Sequence, residues 1–370
     1  MKITHIHIER FRGFQNEDFE VGSLLTAIAG QNGTQKSTLL GIITQTFTLK
    51  TEDSMRVEKP LCGGSYISAF KDKFRLSPTF DKPKGHEWTI SFDAGMDDFT
   101  VESIKRTGDP NVRFWKKGAR QEGDGYISFP TIFLSLKRLV PVAEEAKIIT
   151  DDTLLTQEEL NEFKQLHNKI LIAQTPISSA TTITSKNKQS IGVSTELYDW
   201  NQNSMGQDNL GKIILALFSF KRLHDKYPRQ YKGGILAIDE MDATMYPASQ
   251  VELLKVLRKY ASKLNLQILF TTHSMSLLKA MDDLVQEVTK KEETANQAKI
   301  LYLKKVDDKI AIKQGVNFKG IQLDLNVVAE GNNRKKNRIT AYTEDKENIL
   351  FVKAILKSKA FVLDFVDVTL

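Results

Sequence analysis

The chain has 370 residues, 41% hydrophobic and 26% charged, enough for a large core and for two or three domains. Its 52 Lys and Arg against 46 Asp and Glu leave a net charge of +6, which permits nucleic-acid contact without demonstrating it. Cys62 is the single cysteine, which excludes an intrachain disulfide and a cysteine metal cluster and fits a cytoplasmic setting; no run approaches the roughly 20 apolar residues of a membrane helix.

In chain order, MKITHIHIERFRGF alternates Ile6 and Ile8 with polar residues, predicting a strand over 2–9 and lacking a signal peptide's apolar run. LLTAIAG at 24–30 predicts a short buried strand ending in glycine, and Ser37–Phe47, free of proline, predicts a helix. Across 50–130, alternating runs such as WTISFDAG and FTVESIKR are separated by GDP, KKG and GDG, which predicts an antiparallel, strand-rich insertion. FPTIFLSL at 129–136 predicts another buried strand. Helical spacing and capping residues predict a helical arm from Asp151 to Ile170, and the Ser/Thr-rich text at 175–190 predicts a loop. Helix Leu210–Leu223, strand Gly234–Asp239, helix Gln250–Leu264 and strand Gln267–Thr271 then alternate as in a parallel α/β sheet. No internal repeat is visible. The basic text GNNRKKNR at 331–338 reads as a solvated loop or a nucleic-acid contact.

GQNGTQKST, Gly30 to Thr38, carries the parts of a phosphate-binding loop: a strand, a turn of exposed backbone N–H groups, a lysine, a hydroxyl and a helix N-terminus facing the anion. Gly30, Asn32 and Gly33 build the turn, Lys36 can reach the β- and γ-phosphates, Ser37 can ligate Mg²⁺, and Thr38 follows it. Gln35 stands where the last glycine is usual, at a strain of about 1 kcal/mol if the turn tolerates it. ILAIDE at 235–240 places Asp239 to hold the metal's water shell and Glu240 to polarise the attacking water. In LFTTHS, His273 ends a strand where it can sense the γ-phosphate. Ser204, Gly206 and Gln207 precede a helix, so hydroxyl, N–H and dipole can bind a second phosphate, or simply cap the helix.

These motifs in this order, IERFRGF, GQNGTQKST, SMGQ, ILAIDEMDATMYPASQ and LFTTHSMSLL, resemble an SMC-like ABC-type AAA ATPase, and more narrowly the overcoming-lysogenization-defect (OLD) family of bacterial anti-phage defence. In that family the run after the acidic pair commonly has a histidine; here Asp242, Tyr246 and Pro247 fill it. The implied fold is α/β, a P-loop NTPase head with a mixed or parallel central sheet, an antiparallel strand-rich lobe and a helical insertion. The implied divisions are 1–150, the first half of the head; 151–200, a helical arm and loop; 201–325, the second half; and 326–370, a linker and partial Toprim-like segment. The resemblance implies a homodimer or higher oligomer in which two heads sandwich ATP and Mg²⁺, Lys36 and Ser37 of one head facing Ser204 and Gly206 of the other. It also implies that Arg12 reaches the nucleotide. Gln45, on the helix after the loop, is not assigned as a lid glutamine.

Relatives often continue into a Toprim nuclease whose first strand ends in glutamate, and RITAYTEDKENILFVKAIL is similar: strand Ile339–Tyr342, Glu344, helix Asn348–Leu356, with AFVLDFVDVTL as a second strand. The further Asp-x-Asp ligands of that fold are not in this sequence, so the segment is expected to be a fragment or a vestige. The functional expectation is an ATP-hydrolysing head, with no membrane role, that controls a DNA- or RNA-directed effector, its own or a partner nuclease. Two other readings are an SMC-like chromosome or DNA-repair ATPase acting as a clamp on DNA, which would need sustained heptads that are not present, and a regulatory switch that holds ATP without hydrolysing it, against which Glu240 argues.

Overall fold

The computed structural model describes residues 1–67, 70–93, 95–105, 112–118, 124–139, 148–151, 154–185, 189–331, 339–343, 346–357 and 363–367. The chain divides into two units, Met1–Phe318 and Lys319–Leu370. In the first, β1 (Ile3–Phe11) and β2 (Phe14–Glu20) form a hairpin about Arg12–Gly13, and β3 (Leu25–Gly30) runs into α1 (Lys36–Thr44). Next come β4 (Phe47–Thr48), α2 (Phe70–Lys73), β5 (Glu87–Phe92), β6 (Phe99–Lys105), β7 (Val112–Lys116), β8 (Ile127–Ser128) and β9 (Thr131–Leu134). The arm holds β10 (Ile149–Asp151), α3 (Gln157–Leu171), β11 (Ser179–Thr184) and β12 (Gln189–Ser194). The rest of the unit is α4 (Met205–Lys226), β13 (Gly234–Ile238), α5 (Pro247–Lys263), β14 (Leu266–Thr272), α6 (Met275–Val288), β15 (Ala298–Val306) and β16 (Lys309–Gln314).

A six-stranded sheet in the order β16-β15-β3-β14-β13-β9 is parallel except for β16, which pairs antiparallel with β15. Its central strands β3, β13 and β14 are buried along their whole length, as expected of parallel strands covered on both faces. The antiparallel sheet β2-β1-β5-β6-β7 is the second layer. Leu39, Leu40, Ile42 and Ile43 of α1 are completely buried in one core with Ile6 and Trp88 of that layer and Ile28 and Leu269 of the first. A helix apolar all round must be covered all round, and each such side chain contributes about 1.5–3 kcal/mol. The helix that carries Lys36 and Ser37 is thereby clamped between two sheets.

The second unit contains α7 (Phe318–Gly331), which starts at the last residue of the first, then β17 (Ile339–Thr343), α8 (Lys346–Leu356) and β18 (Leu363–Asp367), with β17 and β18 parallel. Glu344 and most of the basic run at 331–338 lie outside the described residues. Among the described residues no helix is long and apolar enough to cross a membrane.

The α/β head with its mixed central sheet and antiparallel lobe matches the expected fold class. Several local expectations are corrected. Within the Ser/Thr-rich text at 175–190, expected as a loop, Ser179–Thr184 form β11 and Gln189 and Ser190 begin β12, because β-branched threonines and Ile183 suit a pleated surface, with Ala180, Thr182 and Ile183 buried. The arm's helix begins at Gln157, behind a Thr156–Glu159 capping box, rather than at Asp151, which ends β10. The helix after the loop stops at Thr44, since Phe47 and Thr48 pair with β8. The strand expected over 129–136 is confined to Thr131–Leu134.

Candidate nucleotide site

The loop between β3 and α1 is shaped by two glycines and one strained residue. A Cβ on Gly30 (φ 152°) would stand 2.4 Å from the Leu303 carbonyl oxygen, so close approach of β15 demands glycine. Gly33 (φ 80°) faces open space, with no atom within 4 Å of where its Cβ would be. Gln35 caps α1 in the left-handed region (φ 61°, ψ 32°), the conformation the expected glycine would take without cost. Its amide lies against the β1–β2 turn, where a Cβ on Gly13 would meet Gln35 Nε2 at 2.8 Å.

Lys36 Nζ donates to the carbonyl oxygens of Gly30 (3.0 Å) and Gln31 (2.9 Å) and is held across the loop. Burial lowers its pKa, opposed by the nearby carboxylates of Glu240, Asp239 and Asp242. Ser37 Oγ donates to Asp239 Oδ1 at 2.8 Å, joining α1 to the end of β13. Thr271 Oγ1 donates to the same oxygen at 2.7 Å and accepts the Glu240 amide N–H at 2.6 Å. A hydroxyl and a carboxylate converge near a lysine, which is the donor chemistry for Mg²⁺ beside phosphate oxygens.

Glu240 is half-buried and turns the chain in the left-handed region (φ 49°). The buried Arg138, just beyond β9, holds that turn: its Nη2 donates to the Glu240 carbonyl oxygen (2.8 Å), its Nε to Asn209 Oδ1 (2.7 Å), and its Nη1 to the carbonyl oxygens of Leu134 and Ser135. Burial pulls its pKa down to about 10 against the opposing attraction of Asp239, Glu240 and Asp242. Asn209 Nδ2 continues the brace to the Ala243 carbonyl oxygen at 3.0 Å. Gln250 of α5 donates to the carbonyl oxygens of Asp242 and Met245 and accepts from Ser274 Oγ, linking the acidic turn to the residue after His273. His273 is exposed at the end of β14, and partial burial plus the Lys36 charge lower its pKa, opposed by Asp242, Glu240 and Asp239.

Lys36, Ser37, Asp239 and Glu240 are thus gathered at the ends of β3 and β13, which flank β14, with His273 at the end of β14 within electrostatic reach. Asn32 and Gly33 are exposed on the loop, and Thr38 is the next residue of α1. Arg12 lies nearby, its Nη1 3.5 Å from Thr38 Oγ1, but its guanidinium is forked onto Asp81 at 3.0 and 3.1 Å and onto the Arg75 carbonyl oxygen at 2.8 Å. Ser204 is exposed as the N-cap of α4, in a reciprocal capping box with Gln207, whose amide also donates to Tyr198 Oη. Gly206 is buried, and a Cβ there would meet the Thr244 carbonyl oxygen at 2.6 Å. These three share no hydrogen bond with the loop residues among the described contacts.

Sequence reading did not assign Thr271, Arg138 or Gln250. Thr271 sits inside the quoted LFTTHS, where a hydroxyl one strand away from Asp239 was its only signal. Arg138 and Gln250 gave none, because a cation after a strand and an amide on a helix are ordinary surface text.

Residues 134–278 match the family model of the AAA ATPase domain. No curated protein matches the chain in sequence. Among solved structures, the SMC head domain from Thermotoga maritima is 14% identical, with 85% of this chain and 100% of that chain covered and a TM-score of 0.46. The SmcHead bound to the C-winged helix domain of ScpA is 14% identical, covering 87% and 100%, at 0.49. The Smc head domain with an extended coiled coil, bound to the C-terminal domain of ScpA derived from Pyrococcus furiosus, is 12% identical, covering 89% and 99%, at 0.47. The ATPase-domain match spans β13 with its acidic pair, β14 with His273, and the Ser204 cap.

Proposed function

We propose that the chain is an ATP-hydrolysing head that closes over nucleotide as a dimer and thereby controls a nucleic-acid-directed effector in anti-phage defence, as the OLD-like motifs suggest. The observation that carries the nucleotide reading is the convergence of Lys36, Ser37 and Asp239 at the ends of β3 and β13. Lys36 binds the β- and γ-phosphates once it leaves the Gly30 and Gln31 carbonyls. Ser37 and Asp239 would hold Mg²⁺, which would supply charge neutralisation at the transferring phosphoryl group. Glu240 orients the attacking water and accepts its proton, and His273 offers a ring N–H to the γ-phosphate.

The dimer reading rests on Ser204 and Met205, both exposed at the N-terminus of α4, where hydroxyl and helix dipole face outward. In the closed dimer they meet the partner's nucleotide. Control of a nuclease, in this chain or in a partner, and contact with DNA or RNA follow from the family resemblance and the net charge.

The test is ATP turnover and mass with nucleotide for three proteins. Wild type hydrolyses ATP; Glu240→Gln binds ATP, loses turnover by at least about 10²-fold and accumulates as a dimer; Lys36→Ala does not bind ATP. Wild-type turnover by Glu240→Gln would remove Glu240 from the catalytic role.

A further inference from the structure

Phe80 presents its ring to solvent, 85% exposed, in the connection between α2 and β5. The turn that carries it is held by its own hydrogen bonds. The Phe80 N–H donates to Ser77 Oγ at 3.3 Å, the Asp81 N–H to the Ser77 carbonyl oxygen at 2.9 Å, and the Ser77 N–H to Asp81 Oδ2 at 2.7 Å. Just upstream, Phe74 is buried against α1, where a Cβ on Gly41 would meet its ring at 2.7 Å, and it lies 5.3 Å from Phe11. The Phe80 turn is therefore fixed beside the helix that carries Lys36 and Ser37.

A single exposed apolar side chain is ordinary on a protein surface. This one, however, lines a cavity of about 500 Å³ with Arg12, Ser77, Asp81 and His86, a size within the range of small-molecule sites. Arg12 joins the cavity to the phosphate loop, its Nη1 standing 3.5 Å from Thr38 Oγ1, two residues beyond Lys36. The Arg12 guanidinium is already answered by Asp81 and the Arg75 carbonyl oxygen, and Asp81 also hydrogen-bonds His86 Nε2 at 3.0 Å. That wall calls for no added anion. What the cavity leaves open is an aromatic face, which suits a flat, uncharged part of a ligand.

We propose that this cavity receives the base of the nucleotide whose phosphates lie on Lys36 and Ser37, with the Phe80 ring stacked on it. The inference rests on the nucleotide reading and deepens it. It makes the ligand a nucleoside phosphate rather than a bare polyphosphate, and Phe80 the residue that tells the two apart. Every base has a π-face, so stacking selects for a base without choosing among bases. The hydrogen-bonded turn keeps the ring in place before the ligand arrives, which spares the cost of ordering it on binding.

The experiment is calorimetric titration of the full chain, with Mg²⁺ present, by ADP and by inorganic pyrophosphate, which carries the same two phosphates without the nucleoside. ADP is expected to bind more tightly than pyrophosphate. Phe80→Ala should weaken ADP about fivefold or more and leave pyrophosphate unchanged, and Phe80→Tyr, which keeps the ring, should restore ADP. In steady state Phe80→Ala should raise the KM for ATP by a similar factor with kcat little changed, a split that a merely structural role would not produce. ADP affinity indifferent to Phe80→Ala, or an equal loss for both ligands, overturns the base subsite and leaves the nucleotide reading standing. Binding of neither ligand by the wild type overturns both.

Discussion

Thr271 and Asp239 meet at 2.7 Å across neighbouring strands, and the same threonine hydroxyl accepts the Glu240 amide N–H. One buried side chain therefore orients both members of the acidic pair, the metal-holding carboxylate through its oxygen and the general base through its backbone. Groups that orient a metal ligand commonly matter by about 10–100-fold in metal affinity or activity. Thr271→Val keeps the shape but leaves the Glu240 N–H without its acceptor. The expected outcome is a Mg²⁺ requirement for turnover raised by about 10-fold or more, with a melting temperature close to wild type. An unchanged Mg²⁺ titration would show that Ser37 alone suffices to orient Asp239.

Gln35 occupies a left-handed position at a cost of about 1 kcal/mol. Its amide is turned toward Gly13, with Oε1 buried and lacking a hydrogen-bond partner. Glycine removes the strain and gives up some unfolded-state rigidity, two effects of similar size. Gln35→Gly is expected to leave ATP affinity unchanged or higher, measured by equilibrium binding. Weaker binding would identify the amide as a nucleotide ligand.

The legible part of this molecule was the part where local sequence and local structure coincide. Buried parallel strands such as Gly234–Ile238 are continuous apolar runs, and the loop, acidic pair and His273 each sit at the end of one, so the strand and the chemistry were read together. Arg138 was invisible because its partners, Asn209 and Glu240, lie 71 and 102 positions away. The 175–190 segment was misread because serine and threonine serve loops and pleated strands equally; only pairing with β10 and within the hairpin decides. Arg12 illustrates the same limit, since its ion pair with Asp81 spans 69 positions.

Arg138 is buried with four carbonyl or amide acceptors around its guanidinium. Leaving a buried acceptor without its donor typically costs about 1–3 kcal/mol. Arg138→Met should lower the melting temperature and, because the Glu240 carbonyl loses its anchor, reduce kcat more than ATP affinity. Arg138→Lys, which keeps the charge but not the planar fork, should recover stability in part and kcat little. Equal recovery of both would limit Arg138 to a structural role.

Ser204 serves the fold as the N-cap of α4 whatever it does at an interface. Ser204→Ala should therefore cost about 1 kcal/mol of stability and leave ATP-dependent dimerisation measurable. Ser204→Arg adds a bulky charge to the exposed helix end and should abolish the dimer while single heads still bind ATP. Light scattering with Glu240→Gln as background reads this directly; a dimer in the arginine variant counts against the sandwich. Gly206→Ala is the wrong probe, because a Cβ there strikes the Thr244 carbonyl oxygen at 2.6 Å within the same chain.

His167 of α3 is buried and stacked on Phe163 at 5.9 Å, and burial pulls its pKa down to about 4 from an ordinary 6.5. The folded state thus prefers the neutral ring. The unfolded chain binds the extra proton first, so this contribution to stability is complete above pH 6.5 and is lost as the pH falls toward 4. The loss amounts to about 3 kcal/mol over that window. In His167→Phe, which fills the same space with a ring that cannot be charged, it is absent. Urea unfolding of both proteins at pH 7 and pH 4 should show the wild type falling further by roughly that amount, since the other titrating groups are common to both. Identical pH dependence would mean that the arm opens to hydrate His167 before the fold is lost.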